Sequence, residues 1–336
     1  MKKTKWITML LLVAFTATFL LGCGSSASTT GSGTTAPAAT DKPADGGNYI
    51  LATGGTSGTY YSFGGAMAQI INKTAGTNIT AQSTGASKEN IRLVSTKEAE
   101  LAIVQNDVLD YAYKGIELFN GEKIENVLTI GTLYPEVIQL VVAADSDIMT
   151  LADLKGKKVS VGDAGSGVEA NAKQVLEAYG LSFEDIDVRR LSFKESGDAF
   201  SNKQLDAFFV TAGIPNTAIV ELAVKNPVKL LNIEGDPMKS LQTKYPFYTE
   251  FTIGKDVYNT AEDIKTIAIQ ATLVCGADMS EDAVYNITKA IFENLTELGE
   301  AHAKGKEVAL EKTVQGVSVP FHPGAEKYYK EQGILK

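Results

Sequence analysis

From residue 48 onward, short apolar runs alternate with stretches of helical period. Tyr49 to Thr53 is an apolar run ending in glycines, and Tyr60 to Asn72 then carries Phe63, Met67, Ile70 and Ile71 on one side. Apolar residues three and four apart mark a helix with one buried stripe. Ile79 to Gln82 and Leu101 to Gln105 read as further strands, with a helix starting at Ser87 between them. Val127 to Leu133 and Val137 to Ala144 read as two more strands. After a charged turn from Asp153 to Lys158 the pattern begins again. Val159 to Gly162 is a strand, and Gly167 to Tyr179 a helix closed by Gly180, a common C-terminal stop. Val188 to Leu191, Ala207 to Val210, Val228 to Ile233 and Ile267 to Val274 continue as strands, and Asp282 to Leu298 and Glu326 to Gln332 as helices. This alternation predicts α/β architecture with largely parallel sheets.

One internal echo suggests how the chain is divided. LATGGTSG (51–58) lies over SVGDAGSG (160–167), each a strand, a small-residue loop ending in Ser-Gly, and a helix start. Two lobes that open on the same unit produce that echo; chance likeness between glycine-rich loops is the competing explanation. The expected division is 48–143 with 267–336 in lobe one and 144–266 in lobe two.

The first 47 residues follow a different pattern. Lys2, Lys3 and Lys5 precede an apolar run from Ile7 to Leu21, interrupted only by threonines, which stops at Leu20-Leu21-Gly22-Cys23. The run is short for a spanning helix and has the layout of a secretory signal. Leu-Leu-Gly-Cys also resembles a lipobox, which makes 1–22 a lipoprotein signal peptide and Cys23 the acylated mature N-terminus. An uncleaved anchor helix is the alternative, and either reading places the protein outside the cytoplasm at the bacterial cell membrane. Residues 23–47 are Ser, Thr, Gly, Ala and Pro with almost nothing to bury, as in a flexible tether.

Composition narrows the function. Of 336 residues 44% are hydrophobic and 21% charged, which is globular. The net charge of -9 comes with no basic stripe, so nucleic acid is not an expected partner. With Cys23 acylated, Cys275 has no partner and reads as a small buried hydrophobe. The two histidines, His302 and His322, stand in no catalytic or metal-ligating pattern, and no nucleophile elbow or paired-cysteine motif occurs. The reading is therefore a binding protein and not an enzyme, with no cofactor and no metal.

Three loops carry the candidate chemistry, each joining the carboxyl end of a strand to the start of a helix, where open α/β sheets bind ligands. They are Gly54 to Tyr61, Ser83 to Asn90 and Ala164 to Glu169. Helix starts hold unpaired N–H groups and partial positive charge, so they receive carboxylates well. Ordinary helix capping accounts for parts of each loop, Ser87 above all. Gln105 and Asp107 mark a fourth strand end; either serves as a cap, and Asp107 suits a ligand amine. Arg92, Arg189 and Arg190 are the only arginines, and Arg92 falls on a helix surface, so hydroxyls and helix starts must recognise any anion.

Six motifs occur in order: GGTSGTYYSFGGAMAQIIN, STGASKENIRLV, LAIVQNDV, LKGKKVSVGDAGSGVEANAKQVLEAYGL, LDAFFVTAGIPN and VPFHPGAEKYYKE. Together they resemble the TAXI family, extracytoplasmic receptors of TRAP transporters, over about 49–336. The resemblance implies a type II periplasmic-binding-protein fold, two α/β lobes joined by crossing hinge strands with the ligand between them. It implies delivery of a small carboxylate or amino acid, such as glutamate, to a TRAP-type membrane permease. The matched positions Gly58, Thr59, Tyr60, Ser87, Asn90, Ser166 and Gly167 would line the cleft, with Thr211 facing them at a second-lobe strand end. The family often has a hydroxyl residue where this chain has Val168. A substrate-binding lipoprotein of an ABC importer is the alternative within the same fold, and a surface adhesin without a ligand the alternative from another class.

Overall fold

The apolar runs pair into a single ladder of strands. A computed structural model describes residues 47–336. The expected leader, Cys23 and all but the last residue of the tether lie outside the described residues. The first half of the body holds β1 Asn48–Ala52, α1 Thr59–Ala75, β2 Asn78–Gln82, α2 Ser87–Ser95, β3 Leu101–Gln105, α3 Asn106–Lys114 and β4 Val127–Ala143. Then come β5 Lys158–Ser160, α4 Gly167–Ala178, β6 Asp187–Arg189, α5 Phe193–Ser201, β7 Ala207–Ala212, α6 Thr217–Lys225, β8 Val228–Leu231, α7 Gly235–Lys244 and β9 Thr249–Ile253. The chain closes with β10 Ile264–Gly276, α8 Glu281–Phe292, α9 Leu295–Ala301 and α10 Pro323–Glu331.

The strand order is β2-β1-β3-β10-β4-β7-β5-β6, with β8 on β4 and β9 on β10. Parallel strands sit at both ends: β1 pairs with β2 and β3, and β5 with β6 and β7. β3 is buried at every position, as a strand covered on both faces must be. The middle is antiparallel and made by two long strands. At roughly 3.3 Å per residue the 17 residues of β4 reach about 55 Å, too far for one lobe. Its early residues pair with the late half of β10, while Val137 to Val142 pair with β7. β10 does the converse: Ala271 to Cys275 pair with β3, and Ile264 to Ala268 with β9. The two strands thus cross between two α/β lobes.

Two expectations change at this crossing and beyond it. Residues 127–133 and 137–144, read as separate strands, fall on one strand, β4, which ends at Ala143. Pro135 lacks an N–H and stands opposite Gln270, where the ladder shifts register before Thr272, so the missing donor falls at an irregularity. The single helix expected over 282–298 is two, α8 and α9, parted at Asn294, whose side-chain amide donates back to the Ala290 carbonyl at 2.8 Å.

Each lobe has its own core. In the first, Phe63, Met67 and Ile71 of α1 pack with Val284, Ile287 and Ile291 of α8. In the second, Phe208 and Val210 of β7 pack with Ile219 and Leu222 of α6. Fully burying such side chains contributes about 1.5–3 kcal/mol each. A third cluster spans both lobes, gathering Val108 and Tyr111 of α3 with Val168 and Val175 of α4. Cys275 is buried in β10, and burial pushes its thiol well up, so it packs as a hydrophobe.

Candidate functional site

The loops after β1 and β2, the end of β3 and the loops before α4 and α5 converge on one cavity of about 420 Å³. From the first lobe, Gly54 to Tyr60, Ser87, Gln105 and Glu136 line it. From the second come Asp163, Ser166 to Val168, Ser192 to Glu195 and Thr211. Of the residues singled out in the sequence, Gly58, Thr59, Tyr60, Ser87, Gln105, Ser166, Gly167 and Thr211 therefore lie at one place, drawn from both lobes. A larger cavity, about 1030 Å³, lies between Tyr111, Tyr245, Phe247 and Lys312. Apart from Asn106, the first residue of α3, it lacks the strand ends and helix starts that wall the smaller one, so the smaller cavity is the candidate site.

The lobes touch around the cavity. Thr59 Oγ1 donates to the Gly213 carbonyl at 3.4 Å, and the Asn216 amide to the Ser57 carbonyl at 3.5 Å. Gly167 approaches Gln105 so closely that a Cβ on it would stand 1.9 Å from Gln105 Oε1. Any larger residue at the first turn of α4 would have to displace the Gln105 side chain. Gly162 has a second steric reason to be glycine: its φ is +90°, and a Cβ there would meet Val168 at 2.6 Å.

The helix starts differ in how they are capped. Ser166 caps α4, accepting from the Glu169 N–H at 3.2 Å, and Ser192 with Glu195 closes a capping box on α5. α1 and α2 begin at Gly58 and Ala86 with no side-chain cap, so their first-turn N–H groups remain without that partner. Ser87 is thus not the N-cap expected from the sequence. Ala86 holds that position at φ 71°, and the Ser87 hydroxyl instead accepts from the Gln105 N–H at 3.1 Å. The turns before α2 and α4 share a device: Gly85 N–H donates to Glu89, and Gly165 N–H to Glu169, each at 2.7 Å.

Two sequence candidates do not line the cavity. Asn90 is fully buried; its amide donates to the Thr53 and Ile103 carbonyls at 2.5 and 2.8 Å and accepts from Thr84 Oγ1 at 2.6 Å. Its two donors tie α2 to the end of β1 and to β3, and its oxygen ties it to the loop after β2. Asp107 accepts from the Val108 N–H at 2.8 Å and from the Asn171 amide at 2.9 Å. A chain of hydrogen bonds continues from Asn171 through Tyr248 and Gln174 to Tyr111, linking α3 to α4. Burial pushes the Asp107 carboxyl up to about 7.

One lining residue escaped the sequence reading. Glu136 is 2% exposed, sits on β4 at the crossing and accepts a hydrogen bond from Tyr60 Oη at 2.5 Å. Burial lifts its carboxyl to about 8, against the lowering effect of the Tyr60 bond. The signal was present: Glu136 is the one charged residue in the 17 of β4. The rest of the lining is also acid-rich. Burial and the nearby Glu195 and Glu89 raise Asp163, while Lys194, exposed, is tied to Asp198 at 2.6 Å. Two further polar atoms of the lining, Gln105 Oε1 and Thr211 Oγ1, are buried without a hydrogen-bond partner. Outside the site, Arg92 pairs with Glu122 on the surface at 2.8 Å.

With this geometry in hand, comparisons with known proteins bear on the whole body. The profile of the NMT1-like family matches residues 51–333. A solved structure from Bordetella bronchiseptica RB50 is similar in fold, with a TM-score of 0.53 and 14% identity over 86% of this chain and 89% of its own. Weaker likenesses include the periplasmic aliphatic sulphonate-binding protein SsuA from Escherichia coli, at TM-score 0.44 and 14% identity, covering 86% of this chain and 94% of that one. Another is a binding protein component of an ABC phosphonate transporter from Pseudomonas aeruginosa, at 0.49 and 13%, covering 80% of each.

Proposed function

We propose, from the premise that this chain belongs to the NMT1-like family, that it captures a small solute outside the cytoplasm and delivers it to a membrane transporter. The observation that carries this reading is a cavity of about 420 Å³ walled by both lobes, while among the described residues only β4 and β10 run continuously between them. Two lobes on two strands can part and close around a ligand, which suits capture and release. The hinge of this reading lies inside the strands, near 134–136 and 268–271. The lobes expected at 48–143 with 267–336 and at 144–266 then share their boundary strands.

The ligand is a small carboxylate or an amino acid such as glutamate. Its carboxylate meets the uncapped starts of α1 and α2, where N–H groups receive an anion without a formal counter-charge. Thr59, Ser87, Ser166 and Thr211 supply hydroxyls, Gly58 and Gly167 the close backbone, and Tyr60 a wall. Asn90 and Asp107 act behind the site by holding α2 and α4 in place. A thermal-shift screen of small carboxylates and amino acids tests the reading. A ligand at 100 times its Kd stabilises by about 2.7 kcal/mol, and no shift with any compound speaks against it.

The partner of this reading is a TRAP-type permease, supported by the six sequence motifs; an ABC importer is the alternative. Uptake by membrane vesicles driven by an ion gradient without ATP favours the permease, and strict ATP dependence the importer. The lipobox supports a lipid anchor at Cys23. Cys23→Ala then leaves the chain unlabelled by a radioactive fatty acid, and unchanged labelling overturns the anchor.

A further inference from the structure

We infer that Glu136 recognises an ammonium group, so that the ligand is an amino acid and not a simple carboxylate; this rests on the carboxylate-binding reading of the same cavity. Glu136 lines the cavity, and among the described residues no Lys, Arg or His nitrogen pairs with it. Tyr60 Oη engages one carboxylate oxygen, Oε2. Nothing in the described protein donates to the other. Two more lining atoms, Gln105 Oε1 and Thr211 Oγ1, are buried and unpartnered. The amide oxygen can only accept, and the hydroxyl can accept as well. The cavity thus presents two unpartnered acceptors beside a buried acid without a counter-charge, which adds a third acceptor once it ionises. An ammonium brings three donors and one positive charge, which meets both needs. A neutral hydroxyl or amide on the ligand would meet the acceptors but do nothing to favour the ionised form of Glu136. Asp107, the sequence candidate for a ligand amine, does not line the cavity, and both its oxygens already accept from protein donors.

The acid's raised pKa supplies an independent readout. With its carboxyl near 8, Glu136 is roughly nine-tenths protonated at pH 7 in the empty protein. An ammonium favours the carboxylate, so binding releases close to one proton per ligand.

Titration calorimetry on the purified chain tests the inference with matched probes: L-glutamate against glutarate, and L-leucine against 4-methylpentanoate. The amino acid of the tighter-binding pair is expected to bind at least 30-fold better than its partner. Glu136→Gln, which keeps the shape and an acceptor for Tyr60, should shrink that preference to about threefold or less. Repeating the wild-type titration in two buffers of different ionisation enthalpy should show the proton release, a measurement that does not depend on the variant folding. Equal binding of both members of a pair, a preference that survives in a folded Glu136→Gln, or no proton release overturns the ammonium inference and leaves the carboxylate site standing. Failure of every probe to bind overturns the carboxylate reading and this inference with it.

Discussion

Replacing Asn90 with alanine removes an amide that is fully buried and makes three side-chain hydrogen bonds, to Thr53, Ile103 and Thr84 at 2.5, 2.8 and 2.6 Å. Each such bond contributes about 0.5–1.5 kcal/mol net. Thr84 Oγ1 also donates to the Thr53 carbonyl at 3.1 Å, so that acceptor keeps a partner and the loss stays below the full sum. A loss of about 2–4 kcal/mol is expected, partly from the void left where the amide stood. In a chain of this size that lowers the melting temperature by on the order of 5–15 °C. Urea denaturation of the ligand-free variant measures the loss directly, and calorimetry measures any change in affinity. The cavity loops hang on the same carbonyls, so binding weakens too, but as a consequence of the fold. A variant as stable as wild type to within about 0.5 kcal/mol, yet binding at least tenfold more weakly, would refute this reasoning and place Asn90 against the ligand.

Two further outcomes follow from the site's surroundings. The folded-state pKa of Asp107, about 7, lies above its unfolded value near 3.9. The folded state therefore holds more protons between these values, and stability is greatest below about pH 4 and declines as pH rises to about 7. Its share of the loss is on the order of 4 kcal/mol at most, and Asp107→Asn should lessen the decline in urea midpoints measured from pH 4 to 8, leaving the share of Glu136, whose carboxyl is raised to about 8; an unchanged slope removes Asp107 as a source. Gly167→Ala places a Cβ against Gln105 Oε1 between the lobes. Affinity should then fall at least tenfold, with a larger radius of gyration by small-angle scattering, and wild-type affinity would show that Gln105 gives way to the methyl group.

How much of this was legible in the sequence differs from residue to residue. Strand β3 and helix α4 were readable because an apolar run and a 3.6-residue stripe are local consequences of what each element buries. The loops ending in Gly58 and Gly167 were readable because small residues between strand and helix have few other uses. The capping that Ser87 suggests did not show its true partner, because its hydroxyl reaches Gln105, on the next strand, in preference to its own helix. The partners of Asn90 were hidden for a similar reason, since the carbonyls it serves lie 37 and 13 residues away. Glu136 announced itself as a lone charge in an apolar strand, but only the crossing of β4 from one lobe to the other turns that position toward the cavity. The sequence by itself determined the α/β alternation, the glycine-rich strand-to-helix loops and most of the lining, because these depend on neighbours a few residues apart. Tertiary structure alone decided which polar groups are consumed inside the protein and which are left facing a ligand. That choice depends on partners distant along the chain, and a buried donor or acceptor is free only when folding has brought it none.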